Sequence, residues 1–247
     1  MVGTTPTHRH STKSSTKQVN VDLSQVAVVI PALNEAESLP LVLKDMPKVG
    51  WVFVVDNGSS DGTGAVARQL GATVLRQPNP GYGNACQTGI KAATKQNADV
   101  VVILDGDHSF DALEIPKLVG PILDGEADMV LGDRTNTADP GALAVQQKFG
   151  NWVATSLIRG ITGHQYADMG PFRAIRTQSL IDMNMEDPNF GWNVEMQLKA
   201  LRHEMRVIEI PVKCRNRAAG ESKISGSLRA GIRCGIKMMA ATWRYAK

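Results

Sequence analysis

With 247 residues, 43% of them hydrophobic and 21% charged, the chain is long and apolar enough to bury one sizeable core, which excludes a mainly disordered or fibrous protein. A formal net charge of +3 is too small to imply a nucleic-acid partner. Cys86, Cys214 and Cys234 lack CxxC spacing, so neither a disulfide framework nor a zinc knuckle is expected, and a reducing, cytoplasmic setting is.

Residues 1–24 read as a polar Ser/Thr/Lys tail, expected to be disordered; the first twenty lack the apolar centre of a signal peptide, and no later run reaches the roughly 18 apolar residues of a membrane span. Residues 25–33 (QVAVVIPAL) predict a strand, after which Asn34 is expected to start a helix with Glu37 as its capping-box partner. Residues 51–56 (WVFVVD) predict a second strand, followed by a polar turn in which Asp61 or Thr63 caps a helix running to Leu70. Residues 72–77 and 99–105 predict two more strands with a helix over 84–96 between them, and residues 128–134 a fifth strand. Beyond residue 140 the pattern becomes a long helix over 146–160, a short strand in GPFRAIR, a helix over 192–201, a strand pair near RVIEIPVKCR and a C-terminal helix from Ser227. Strands that are apolar on both faces and alternate with helices imply an α/β protein with a mostly parallel sheet covered on each side.

In such a sheet, ligands bind at the carboxyl ends of the strands. The polar residues there are Asn34 and Glu35, Asp56 and Asn57, Gln77, Asp105 and Asp107, and Asp133 and Arg134, which should meet along one edge. A Rossmann dinucleotide site requires GxGxxG directly after the first strand, where this chain reads PALNEAES. Asp105 and Asp107, in VVVILDGDHSF, are either the acids of an Asp-Gly turn or the holders of a cation. Two carboxylates so close repel, and a hard divalent ion such as Mg²⁺ or Mn²⁺ removes that repulsion while completing its shell with substrate phosphates. The implied substrate is a nucleotide diphosphate compound whose departing diphosphate needs charge neutralisation.

The ordered set VVIPALNEAESLP, VVDNGSSDGT, GYGNACQTGI, DGDHS, GDR, DMGPFRA, GWNVEMQLKA and RAAGESKISG resembles family-2 inverting glycosyltransferases of the GT-A fold, in particular the dolichyl- and polyprenyl-phosphate mannosyl- and glucosyltransferases. The resemblance spans about residues 25–226 and implies a Rossmann-like GT-A domain with an acceptor-side lobe. It places Pro31, Leu33, Asn34, Glu35, Asp56, Asn57, Gly83 and Gly106 against a nucleotide-sugar, with Glu35 at the ribose and Asp56 at the base, and makes Asp105 and Asp107 the metal site. Where the polyprenyl-phosphate enzymes often carry a Gln two residues after the second Asp, this chain has Ser109, which leaves a third protein ligand open.

A sugar hydroxyl acceptor needs a general base, whereas a phosphate monoester, with a second pKa near about 6, is already an anionic nucleophile at neutral pH. Hydroxyl-using relatives commonly carry Glu-Asp on the helix beneath the acceptor; here the pair is Glu195 and Met196, which favours a phosphate acceptor and leaves Glu195 and Asp168 as candidate acids or bases. Arg215, Arg217, Ser222 and Lys223 in the loop CRNRAAGESKISG are candidate phosphate ligands, with Arg134 and Arg173 as further ones. His108 and His164 are lone histidines with little claim to metal ligation. The last helix carries an apolar stripe of Leu228, Ile232, Ile236 and Trp243 beside Arg229, Arg233, Lys237 and Arg244, which suits either core packing or peripheral contact with the inner face of a membrane. The expected activity is metal-dependent hexosyl transfer from UDP-glucose or GDP-mannose to a polyprenyl phosphate. A small soluble acceptor, or nucleotide-sugar binding without turnover, are the alternatives.

Overall fold

A computed structural model describes residues 21–219 together with Arg244 and Tyr245. The five parallel strands expected from the aliphatic runs are all present: β1 (Val26–Ala32), β2 (Trp51–Asp56), β3 (Thr73–Arg76), β4 (Val100–Ile103) and β5 (Met129–Asp133). Two more, β6 (Arg173–Arg176) and β7 (Val207–Pro211), complete one seven-stranded sheet in the order β3-β2-β1-β4-β6-β5-β7. β6 runs antiparallel between β4 and β5, with Arg173 opposite both Ile103 and Leu131. Every other neighbouring pair is parallel.

Burial on both faces explains why β1 and β4 have no polar alternation. Val28, Ile30 and Val102 face a core closed by α1 (Leu39–Lys44), α2 (Thr63–Gln69) and α4 (Ile115–Leu123). Val29, Val101 and Ile103 face a second core closed by α3 (Tyr82–Lys95), α5 (Val145–Thr162), α6 (Thr177–Met183) and α7 (Trp192–Arg202). Each fully buried aliphatic side chain contributes about 1.5–3 kcal/mol, so the two cores are the main support of the fold.

The structure corrects three local expectations. Asn34 does not cap a helix: it adopts the left-handed conformation (φ 55°), which an Asn tolerates, and α1 starts only after Ser38, with Pro40 in its first turn. The strand pair near residue 210 is a single strand, β7, which ends at Pro211; beyond it, Cys214 makes isolated bridges to Phe110 and Ala138. Helices α4 and α6, which the sequence reading left out, follow a 3-10 turn at Ala112–Glu114 and the end of β6. Of the expected C-terminal helix only Arg244 and Tyr245 lie among the described residues; both are helical, and Tyr245 is buried.

Candidate active site

The loops leaving β1 and β2 are sewn together by side chains. Asn34 Oδ1 accepts from the Ser60 amide (2.8 Å), while the amides of Asn34, Glu35 and Ala36 donate to Ser59 Oγ, Thr63 Oγ1 and Asp61 Oδ2 at 2.9–3.0 Å. The NEAE and NGSSDGT motifs therefore form one rigid lip, with Pro31 and Leu33 on its β1 side. Asp56, at the end of β2, accepts from the Ser59 amide through Oδ1 (2.8 Å), and the absence of a side chain at Gly64 leaves room around its other oxygen. Next to it, Asn57 Oδ1 is buried with no donor among the described residues. A buried acceptor without a partner costs about 1–3 kcal/mol. Gln77 is turned instead towards α3, where it bonds the Asn84 carbonyl and Thr88.

The acids after β4 meet this lip. Glu35 Oε2 accepts from Ser38 Oγ (2.8 Å), and the same hydroxyl bonds the Gly106 carbonyl (2.7 Å), which ties the Asp-Gly-Asp turn to the β1 loop. Gly106 lies against Ile30 and Glu35, where a methyl group would already stand 3.3 Å from Ile30 Cγ2. Asp107 closes the expected turn and pairs with an arginine. Its Oδ1 closes the turn by accepting the Ser109 amide (2.9 Å), and its Oδ2 faces Arg217 Nη1 (2.9 Å). The other end of the Arg217 guanidinium bonds Glu35 Oε1 at 2.5 Å, so one arginine bridges the ribose candidate and the metal candidate.

Asp105 makes one side-chain hydrogen bond among the described residues, from the Tyr82 hydroxyl at 3.3 Å. Burial, and then repulsion from Asp107, push its carboxyl up to about 7, against the pull of Arg134, Arg217 and the Tyr82 hydrogen bond. Burial and the Asp105 charge raise the Tyr82 phenol, so it stays a donor. Two repelling carboxylates, one of them with an oxygen that has no partner among the described residues, suit a hard divalent cation whose remaining ligands come from water and a diphosphate. Asp105 and Asp107 would hold it. Among the described residues no group of three His, Cys, Asp or Glu stands at ligating distances, in keeping with Ser109 at the third place.

Several candidates are engaged elsewhere. Glu195 is fully buried, and its two oxygens accept the amides of Glu186 and Asp187 at 2.7 Å each while Lys199 pairs with it at 2.8 Å. It therefore anchors a loop and is no free base. Asp168, also buried, grips Arg134 through the backbone amide (3.1 Å) and Nε (2.9 Å), and its own amide donates to Glu209. Arg173 is fully buried, donating to the Gly170 carbonyl and to Met196 Sδ, with Nε unpartnered among the described residues. Arg215 is held by Asp111, with His108 at 3.2 Å and Asp45 at 3.8 Å. His108 itself pairs with Asp45 (3.1 Å), and His164 packs edge-on against Tyr166. Gly83 is a glycine for packing, since a methyl group there would stand 1.9 Å from the Asp187 carbonyl oxygen of the loop that Glu195 holds. Ser222 and Lys223 lie outside the described residues.

The residues that sequence reasoning missed are Tyr82, Ser38 and the 185–188 loop. Tyr82 sits inside the GYGNACQTGI motif, directly before Gly83. The link runs from Glu195 through the loop to α3, where the Asn84 amide donates to the Pro188 carbonyl (3.1 Å), and from Tyr82 to Asp105.

Residues 27–183, which include the lip and the paired acids, match the model of the family described as Glycosyl transferase family 2. The chain belongs to that family. An uncharacterised glycosyltransferase of Mycobacterium tuberculosis is 40% identical over 84% of this chain and 93% of its own length. An undecaprenyl-phosphate mannosyltransferase of Micrococcus luteus is 32% identical over 83% of this chain and 89% of its own length. Among solved structures, glucosyl-3-phosphoglycerate synthase from Mycobacterium tuberculosis, in complex with Mn²⁺, UDP-glucose and phosphoglyceric acid, superposes with a TM-score of 0.73 over 90% of this chain and 79% of its own, at 21% identity. That likeness shows the GT-A fold. The chain is thus a family-2 hexosyltransferase, and among the described residues no helix is long and apolar enough to cross a membrane.

Proposed function

We propose that this family-2 enzyme transfers a hexose from a nucleotide-diphospho-sugar to a polyprenyl phosphate with inversion at the anomeric carbon. The observation that carries this reading is the state of the two candidate bases. Glu195 has both oxygens bonded to loop amides, and Asp168 clamps Arg134, so neither carboxylate is free to deprotonate a hydroxyl. A phosphate monoester needs no base at neutral pH. Its oxygen forms the new bond to the anomeric carbon while the bond from that carbon to the donor's diphosphate oxygen breaks and the diphosphate takes the electron pair. No proton moves.

Asp105 and Asp107 would hold Mg²⁺ or Mn²⁺, which when bound neutralises charge on the departing diphosphate. Glu35 and Asp56 would orient ribose and base from a lip that is already fixed by side-chain bonds, so little ordering accompanies donor binding. Arg134, which pairs with Asp168, and Arg217, which pairs with Asp107, both act on the Asp105 charge and would be the cations that meet incoming phosphate. The Micrococcus luteus relative, named for an undecaprenyl-phosphate acceptor, supports the same acceptor class.

A small phosphate-bearing acid is the second reading, favoured by the phosphoglyceric acid bound in the structural neighbour. Incubation with labelled nucleotide-sugars, Mn²⁺ and either acceptor separates the two. Label extracted into organic solvent with polyprenyl phosphate is expected, and label that moves only to a water-soluble phosphorylated acceptor would overturn the proposal.

A further inference from the structure

Among the described residues, none covers the apolar side of helix α5. Val145 is 79% exposed, Phe149 63% and Trp152 64%, and the Phe149 and Trp152 rings lie 5.9 Å apart. At about 100° per residue these three fall within about 60° of one another, opposite the buried Ala154 and Ile158 that seat the helix on the core. Lys148 and Arg159 are exposed and flank the same stripe, and residues 140–167 contain no Asp or Glu at all.

We infer that this face of α5 docks on an anionic lipid bilayer, the aromatic pair entering the headgroup boundary and Lys148 and Arg159 meeting lipid phosphates. An amphipathic helix with Trp and Phe on one side and cations beside them is the form that binds such an interface. A second copy of the chain fits less well. The three side chains offer about 300–400 Å², by the usual size of aromatic burial, against about 800 Å² per partner in a stable interface. A twofold contact through α5 would also set Lys148 and Arg159 against a copy of the same helix, which carries no acid.

The position of α5 relates this face to the site. Asn151, one residue before Trp152, donates to the Ala167 carbonyl (3.1 Å) and accepts the Met169 amide (2.8 Å), fixing the segment from which Asp168 holds Arg134. Asn151 lies on the other side of α5 from the stripe, so docking would leave the segment that holds the candidate phosphate cation about one helix diameter, roughly 10 Å, from the lipid surface. That consequence rests on the acceptor reading, whereas the docking itself does not.

The test is co-sedimentation of the full chain with phosphatidylcholine vesicles with and without phosphatidylglycerol. Wild type is expected to bind the anionic vesicles. Phe149→Ser/Trp152→Ser should lose about tenfold or more in partitioning, since two apolar anchors are removed. Lys148→Glu/Arg159→Glu, which leaves the aromatic pair intact, should lose the preference for phosphatidylglycerol. Absence of vesicle binding by wild type, or both double variants binding as wild type does, would overturn the inference. So would a wild-type dimer in solution that the aromatic variant dissociates, since the face would then belong to a second copy. A chain that binds vesicles normally yet transfers no sugar to a short, water-soluble prenyl phosphate in vesicle-free buffer would overturn the acceptor reading while supporting the docking.

Discussion

Glu195 distinguishes two accounts of catalysis at the level of single atoms. A general base changed to its amide loses turnover while the fold is untouched. An anchor that accepts two amides behaves differently, because in Glu195→Gln one of those amides faces an NH₂ donor and loses its partner. Such a loss costs about 1–3 kcal/mol. The expected outcome is a lower Tm, with the remaining activity following the same pH profile as wild type; a large loss of kcat at unchanged Tm would restore Glu195 as a base. The paired acids are expected to behave in the opposite way. Asp105→Asn removes charge from a site where like charges repel, so its folding is preserved or improved, whereas Asp107→Asn gives up the ion pair with Arg217 and is expected to lose some stability. Mn²⁺ binding measured by calorimetry should disappear, and kcat should fall by about a hundredfold or more. Retained turnover of both variants in chelator-treated buffer would exclude Asp105 and Asp107 as metal ligands.

Among secondary-structure elements, legibility followed burial. Strands β1, β2, β4 and β5 were readable because a run of aliphatic residues closed by a polar one has few other interpretations. The antiparallel placement of β6 was not, because RAIR encodes no strand direction and its slot between β4 and β5 depends on contacts far along the chain. Asp128 shows how that slot is locked. It receives a two-pronged bond from Arg206 at the start of β7 (2.8 and 3.0 Å) and lies 3.9 Å from Arg176 at the end of β6. The Arg206 hydrogen bond is the main reason its carboxyl lies below the usual 3.8. A depressed carboxylate contributes stability above its unfolded pKa and loses that contribution as pH falls through the folded value. Asp128→Asn should therefore lower Tm by about 2–4 °C at neutral pH, a modest effect because the pair is partly solvated. Melts of wild type and variant should converge as pH falls through the lowered folded value; a gap that persists at still lower pH would mean that packing, not charge, accounts for the difference. The helix-to-sheet contact at Gly89 makes a sharper demand. A methyl group there would stand 2.2 Å from Val29 Cγ1, so Gly89→Ala is expected to cost about 1–3 kcal/mol by overpacking, read as a lower urea midpoint at unchanged slope.

The site as a whole gathers residues from both ends of the sequence. Its donor lip and its acids were legible because they end strands, and strand ends in an open sheet share one edge. The partners of Glu195, Asp168 and Arg173 were not, since an acid that holds a loop and an acid that moves a proton are the same letter in a sequence. Arg217 was expected to contact phosphate, yet it joins Glu35 and Asp107, 182 residues from the former. A cation entering between the acids must compete with that guanidinium, whereas a diphosphate arriving with the cation offers Arg217 a new partner. Metal and nucleotide are therefore expected to bind cooperatively: the Tm gain with Mn²⁺ and a nucleoside diphosphate together should exceed the sum of the separate gains. In Arg217→Ala the acids lose their internal counterion, so Mn²⁺ alone should bind more tightly than to wild type while the cooperativity with diphosphate shrinks. Weaker Mn²⁺ binding by that variant would show that Arg217 supports the cation site and does not compete with it.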